Sequence, residues 1–230
     1  MARLSKRVWT NSKLSEHTKI QVYRACVVST LLYGSESWTI RARQEHKLNA
    51  FHMRCLRRIL DVRWQDKVSN TTVLDRAGIL SMYSLLKQRR MRWLGHVVRM
   101  DDGRIPKDLL YGELTQGKRP TGRPQLRYRD VCKRDMKALG IDTNTWETLA
   151  SDRGAWRQVV TNSLSNYEET LAEQSEAKRQ RRKGSNQADN PHPTAFICTQ
   201  CQRDCHSRIG LVSHTRRCSQ PRPTSQNAGP

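Results

Sequence analysis

The feature that most restricts what this chain can fold into lies near its end: Phe196-x-Cys198-x2-Cys201-x3-Cys205-x5-Leu211-x2-His214-x3-Cys218. Two cysteines separated by two residues can turn both thiolates toward one ion from a tight hairpin. A His and a Cys four residues apart share one helix face, one turn apart. Cys198, Cys201, His214 and Cys218 thus offer the four ligands of a tetrahedral zinc site. Phe196, Cys205 and Leu211 fall where a ββα finger places its small core. Cys205 takes the usual aromatic position, and Cys218 replaces the usual final His. Cys205 and His206 are poorer ligand candidates, because the first is needed for that core and the second precedes the helix. So short a module buries too little surface to fold alone, and zinc is expected to supply its folding energy. Its base-reading positions would be Ser207, Gly210 and Ser213, none of which makes bidentate base contacts. A phosphate, single-strand or structural contact is therefore expected, not sequence-specific duplex reading.

Charge sets the expected partner. Lys and Arg number 42 against 21 Asp and Glu, a net charge of +21. Residues 1–172 carry +15 of it and residues 173–230 carry +6, so the excess is not confined to a tail. A compact chain so charged repels itself and attracts polyanions, and RNA or DNA is the expected partner. Of the seven cysteines, four lie within the finger pattern's ligand and core positions, which argues for metal in a reducing compartment instead of a disulfide framework. The longest apolar run, Ala25–Tyr33, is broken by Ser29 and Thr30 and falls short of the ~20 residues a bilayer span needs. The opening Met1-Ala2-Arg3-Leu4 carries no secretory signal. An intracellular protein, nuclear or cytoplasmic and without a membrane partner, is expected.

Periodicity before the finger is helical. Ser15 is a plausible N-cap for a helix over 13–33, with Ile20, Tyr23, Val27 and Leu31 on one face and Gly34 as the stop. A second helix is expected from Gln44 to Leu60, with Leu48, Phe51, Cys55, Leu56, Ile59 and Leu60 inward and Arg54, Arg57 and Arg58 outward. Further helices are expected over 71–77, 81–100, 126–140, 145–150 and 152–171. The fold class is mostly α: a helical domain over 1–172, a flexible, disordered basic linker over 173–195, a small ββα-like zinc finger over 196–218 and a disordered tail over 219–230.

Three basic groups are candidates for nucleic-acid contact. Lys118, Arg119, Arg123, Arg127 and Arg129 surround a Gly-Pro loop, and Arg89, Arg90 and Arg92 lie on the preceding long helix. Trp93 and Tyr128 sit among these charges, as a backbone track with a stacking platform would require, although Trp93 also fits the apolar stripe of its helix. The run Lys178, Arg179, Arg181, Arg182 and Lys183 suits a nuclear import signal and a nucleic-acid contact equally. No catalytic constellation is present. Met100-Asp101-Asp102 lacks the aromatic of a reverse-transcriptase motif and follows a helix, so Asp101-Asp102-Gly103 reads as a turn.

The ordered set of motifs resembles the C-terminal part of non-LTR (LINE-type) retrotransposon endonuclease–reverse transcriptases. It comprises Leu31-Leu32-Tyr33-Gly34-Ser35-Glu36-Ser37-Trp38, Arg54-Cys55-Leu56-Arg57-Arg58-Ile59-Leu60 and Arg92-Trp93-Leu94-Gly95-His96-Val97-Val98-Arg99-Met100. Gly122-Arg123-Pro124, Trp146-x2-Leu149-Ala150-x-Asp152-Arg153-x2-Trp156-Arg157 and the finger follow. The resemblance implies a thumb-like helical region and a nucleic-acid-binding C-terminal segment that act in target-primed reverse transcription. The palm and fingers, with their catalytic aspartates, and the endonuclease have no counterpart in these motifs. The implied product is a non-catalytic fragment whose partners include the missing palm and fingers. A single-finger regulatory or protein-interaction protein, and an inert remnant of a decayed element, are the alternatives.

Overall fold

The computed structural model describes residues 4–112, 127–188, 196–205 and 207–218. The chain divides into two units, Met1–Gln174 and Ser175–Pro230. Described residues are overwhelmingly helical, and the one β pairing among them is the antiparallel bridge between Ile197 and Asp204. No described helix is long and apolar enough to cross a membrane.

In the first unit, helix α1 (Glu16–Val22) starts where Ser15 accepts the Thr18 N–H at 3.2 Å. The run continues through a π-helical stretch, Tyr23–Val28, and α2 (Ser29–Leu31), and ends before Gly34, whose φ of 68° reverses the chain. Helix α3 (Ala42–Ile59) buries His52, Met53, Cys55, Leu56 and Ile59. Phe51, expected on that face, is instead 37% exposed, because the buried stripe is centred one residue further along. Helix α4 (Asn70–Ala77) is capped by Ser69 and stopped by Gly78. Helix α5 (Met82–Val98) is capped by Ser81. Helix α6 (Ile105–Tyr111) was not legible from periodicity; Pro106 in its first turn is its only local signal. Helices α7 (Tyr128–Ala138), α8 (Trp146–Ser151) and α9 (Arg153–Ala188) follow.

Two apolar clusters share α5. Tyr23, Leu32, Leu56 and Val73 gather with its first half, Met82 and Leu86. Cys132, Met136, Trp146, Trp156 and Leu164 gather with its second half, Met91, Leu94 and Val97. Between Leu86 and Met91 the helix carries charge inward. The Arg90 guanidinium, fully buried, meets Asp135 of α7 at 2.6 Å and Glu45 of α3 at 3.3 Å. Lys87 approaches Asp135 at 3.4 Å and lies 5.0 Å from the Tyr167 ring centre. Arg134 closes the network on Glu45 at 3.0 Å. Buried charges survive only in such company, since an unpaired one would lose its hydration with no return.

Helix α9 is brought onto α5 by Trp156, whose indole N–H donates to the Met91 carbonyl at 2.9 Å. That approach requires Gly95, where a Cβ would run into the Trp156 indole ring.

The division between the units falls inside α9, after Gln174. Residues 173–188, expected as disordered linker, are helical, which corrects that reading. The segment lacks an apolar stripe, yet Glu173, Gln174, Glu176, Ala177, Lys178, Arg179 and Gln180 are strong helix formers. They prolong a helix already nucleated, so no new initiation cost arises. Residues 189–195 and the expected tail, 219–230, lie outside the described residues. The second unit ends in the Ile197–Asp204 bridge and helix α10 (Arg208–Cys218).

Candidate metal centre and basic surfaces

The chain around Cys198 and Cys201 folds into a tight turn by local backbone bonds. The Cys198 N–H donates to the Arg203 carbonyl at 2.9 Å, the Gln202 N–H to the Cys198 carbonyl at 2.8 Å, and the Cys205 N–H to the Phe196 carbonyl at 3.0 Å. Gln202 adopts a left-handed φ of 57° to close it. Helix α10 then starts at Ser207, whose carbonyl accepts the Leu211 N–H at 2.9 Å and whose hydroxyl accepts the Gly210 N–H at 3.0 Å. A Cβ at Gly210 would strike the Cys205 carbonyl oxygen. Two of the three positions where a finger would read bases are therefore occupied by the needs of the fold itself.

This local architecture brings four ligand atoms together. The Sγ atoms of Cys198, Cys201 and Cys218 and a ring nitrogen of His214 all lie within 4.8 Å of one another, and Cys201 Sγ is 3.0 Å from His214 Nε2. With metal–sulfur bonds of about 2.3 Å, a tetrahedral ion would set sulfurs about 3.8 Å apart. The cluster fits an ion at its centre. Cys198 is buried, and the backbone N–H groups of Gln200 and Cys201 hold its thiol down to about 6. Such donors stabilise a thiolate, the form that binds metal. Cys218 is pushed up to about 11, first by its hydrogen bond to Cys201 and then by burial. Cys205 stays outside the four and is half-buried, with burial raising its thiol above the ordinary range. Phe196 and Leu211 are likewise half-buried.

The candidate nucleic-acid residues separate into distinct groups. Lys118, Arg119 and Arg123 lie outside the described residues. Arg127 and Arg129 are exposed at the start of α7, and Arg92 is exposed on α5. Arg90, expected to contact phosphate, is instead the buried centre of the ion network, because it follows Leu86 and precedes Leu94 on the inward stripe of α5. Arg89 is half-buried and donates to the Leu32 carbonyl at 2.9 Å, a bond that ties α5 to the end of the first helical run. Lys178, Arg181, Arg182 and Lys183 are exposed on α9, and Arg179 faces Glu176 at 4.0 Å. Arg57 and Arg58 hold loops through Val68, Asn70 and Ser5.

Sequence reasoning missed His96, Arg99, Arg153 and Arg157, which converge with Arg92 around a cavity of about 540 Å³. Its signal was available in part: positions 92, 96 and 99 share one face of α5, and positions 153 and 157 share one face of α9.

The chain is similar to an uncharacterized transposon-derived protein of Caenorhabditis elegans, with 24% identity over 164 residues. The match covers 68% of this chain and 59% of that protein, so the chain spans well under two thirds of its relative's length. No protein-family profile matches the chain, and no solved structure matches it. The similarity supports a transposon-related origin.

Proposed function

We propose that this chain is a non-catalytic, zinc-binding and nucleic-acid-binding protein derived from the reverse transcriptase of a non-LTR retrotransposon. Its helical unit corresponds to a thumb-like region, and residues 196–218 to a ββα-like finger. The observation that carries the reading is the convergence of Cys198, Cys201, His214 and Cys218 within 4.8 Å. Three sulfurs and one imidazole nitrogen in a closed tetrahedron are a structural zinc set, with no place for a substrate. The net charge of +21 supports a phosphate backbone as partner, and the transposon-derived relative is compatible with both parts. Glu45 and Asp135, the buried acids among the described residues of the helical unit, are neutralised by Lys87, Arg90 and Arg134, so they hold the fold together and are not free to bind a catalytic metal.

A second reading, protein contact through the finger, is favoured by one observation: Ile209 and Val212 on α10 are 84% and 48% exposed. The two readings separate in one experiment on the full chain. Metal analysis should find one zinc per chain, and binding of labelled single-stranded RNA and DNA should weaken steeply with salt. Affinity that stays flat from low to physiological salt would overturn the nucleic-acid reading and leave the protein-contact one.

A further inference from the structure

We propose that the groove between α5 and the first turns of α9 is the seat of a nucleic-acid backbone, an inference that rests on the nucleic-acid reading above and gives it a place. Arg92 and His96 on α5 and Arg99, which caps its end, stand along one face over about 10 Å. Arg153 and Arg157 stand one turn apart on α9, across the same cavity of about 540 Å³. The floor is Trp156, held to Met91 and admitted by the missing side chain of Gly95. The groove is thus built by core packing, and its cations do not depend on a loop for their positions.

What marks this cluster is that its arginines converge on one cavity, whereas the arginines buried or paired elsewhere in the helical unit meet a carboxylate. Arg76 is paired with Glu16, Arg90 with Asp135, and Arg134 with Glu45. Among the described residues, no carboxylate pairs with Arg92, Arg153 or Arg157, and all three are exposed. Arg99 spends one N–H on the Ala150 carbonyl and keeps its charge. Four guanidinium groups around one cavity repel each other until an anion enters, and planar guanidinium matches phosphate oxygens in pairs. Beyond Arg92 the surface opens into a second cavity of about 490 Å³, where Trp93 and His96 present rings 5.4 Å apart. A half-buried Trp ring beside cations suits base stacking, so a strand can lay its backbone over the arginines and a base against Trp93. A lipid surface fits less well, because the apolar lining of the arginine groove, Trp156 and Val160, is buried and offers nothing to insert.

The test uses the full chain and a labelled oligouridylate, followed by anisotropy across a salt series. Replacing Arg92, Arg153 and Arg157 together by Ala should weaken binding at least about tenfold at physiological salt and make the logarithmic salt slope shallower by about 2. A control removes the same charge from exposed sites elsewhere, Lys13→Ala, Arg43→Ala and Lys47→Ala, and should lose little. The R92Q/R157Q variant keeps the aliphatic stems and should move in the same direction by a smaller factor, with helicity unchanged by circular dichroism. Groove and control variants that lose affinity alike, while the unaltered chain binds steeply with salt, would overturn the groove and leave the nucleic-acid reading standing. No binding by the unaltered chain would remove both. Phosphatidylserine vesicles form the third arm: loss of vesicle binding without loss of RNA binding in the groove variant would assign the site to lipid and overturn the proposal.

Discussion

The helical unit and the Cys3His module differ in what is available to hold them. In the helical unit, two apolar clusters meet on α5 and enclose the buried charges of Glu45, Lys87, Arg90 and Asp135. In the finger, Cys198 is the one fully buried apolar residue among those described, and Phe196, Cys205 and Leu211 are half-buried. Burial at ~25 cal/mol per Å² stabilises the first and cannot stabilise the second. The difference teaches where each region is vulnerable: the first to a cavity or an unpaired charge, the second to loss of a ligand.

The largest expected effect is on the finger. Chelation, or Cys198→Ser, should abolish zinc binding and melt α10, because structural zinc contributes on the order of 10 kcal/mol to such a module. The urea midpoint of the helical unit should stay where it was. A midpoint that moves with zinc would mean that the two regions share their stability after all.

Next in size is Asp135→Ala. It strips Arg90 and Lys87 of their common partner inside the protein and should lower the unfolding free energy by about 3–5 kcal/mol. Zinc content should not change. A loss of less than about 1 kcal/mol would place this network with exposed pairs of little worth.

Acid sharpens the contrast last. His52 stacks on Tyr23, its Nδ1 lies 2.8 Å from the Tyr23 hydroxyl, and burial lowers its pKa from 6.5 to about 4. Between those values the unfolded chain holds a proton that the native state refuses. The stabilisation is therefore complete above pH 6.5 and drains as pH falls toward 4, by about 3 kcal/mol at the most. Urea titrations of the Cys198→Ser variant, in which the finger adds no proton-linked metal release, isolate this slope. A pH-independent midpoint over that window in a His52→Gln variant that still folds is the matching control; an unchanged slope there would acquit His52.

Much of the helical layout could be read from residues alone. Ser15, Ser69 and Ser81 cap helices from one position before them, and Gly34 and Gly78 stop helices, because capping and left-handed φ are local chemistry. The ligand spacing of the finger was equally local. Arg90 departs from the expected phosphate contact because a cation on a helix is usually solvated and this one is buried. Yet Leu86-Arg90-Leu94, Cys132-Asp135-Leu139 and Glu45-His52-Leu56 each place a charge on an apolar stripe. Three such intrusions of mixed sign announce a buried network without saying who pairs with whom. Helix propagation through 173–188 was missed because amphipathic patterning looks for packing, and this helix needs none.

Composition and spacing by themselves determined that this chain is basic, helical and equipped with a Cys3His ligand set, since charge, caps and ligand intervals act within a few residues. Tertiary structure alone decided which arginines face water. Whether a guanidinium meets Asp135 or lines an open groove depends on which helix is packed opposite, and that in turn depends on contacts such as Trp156 against Gly95, 61 positions apart in the chain.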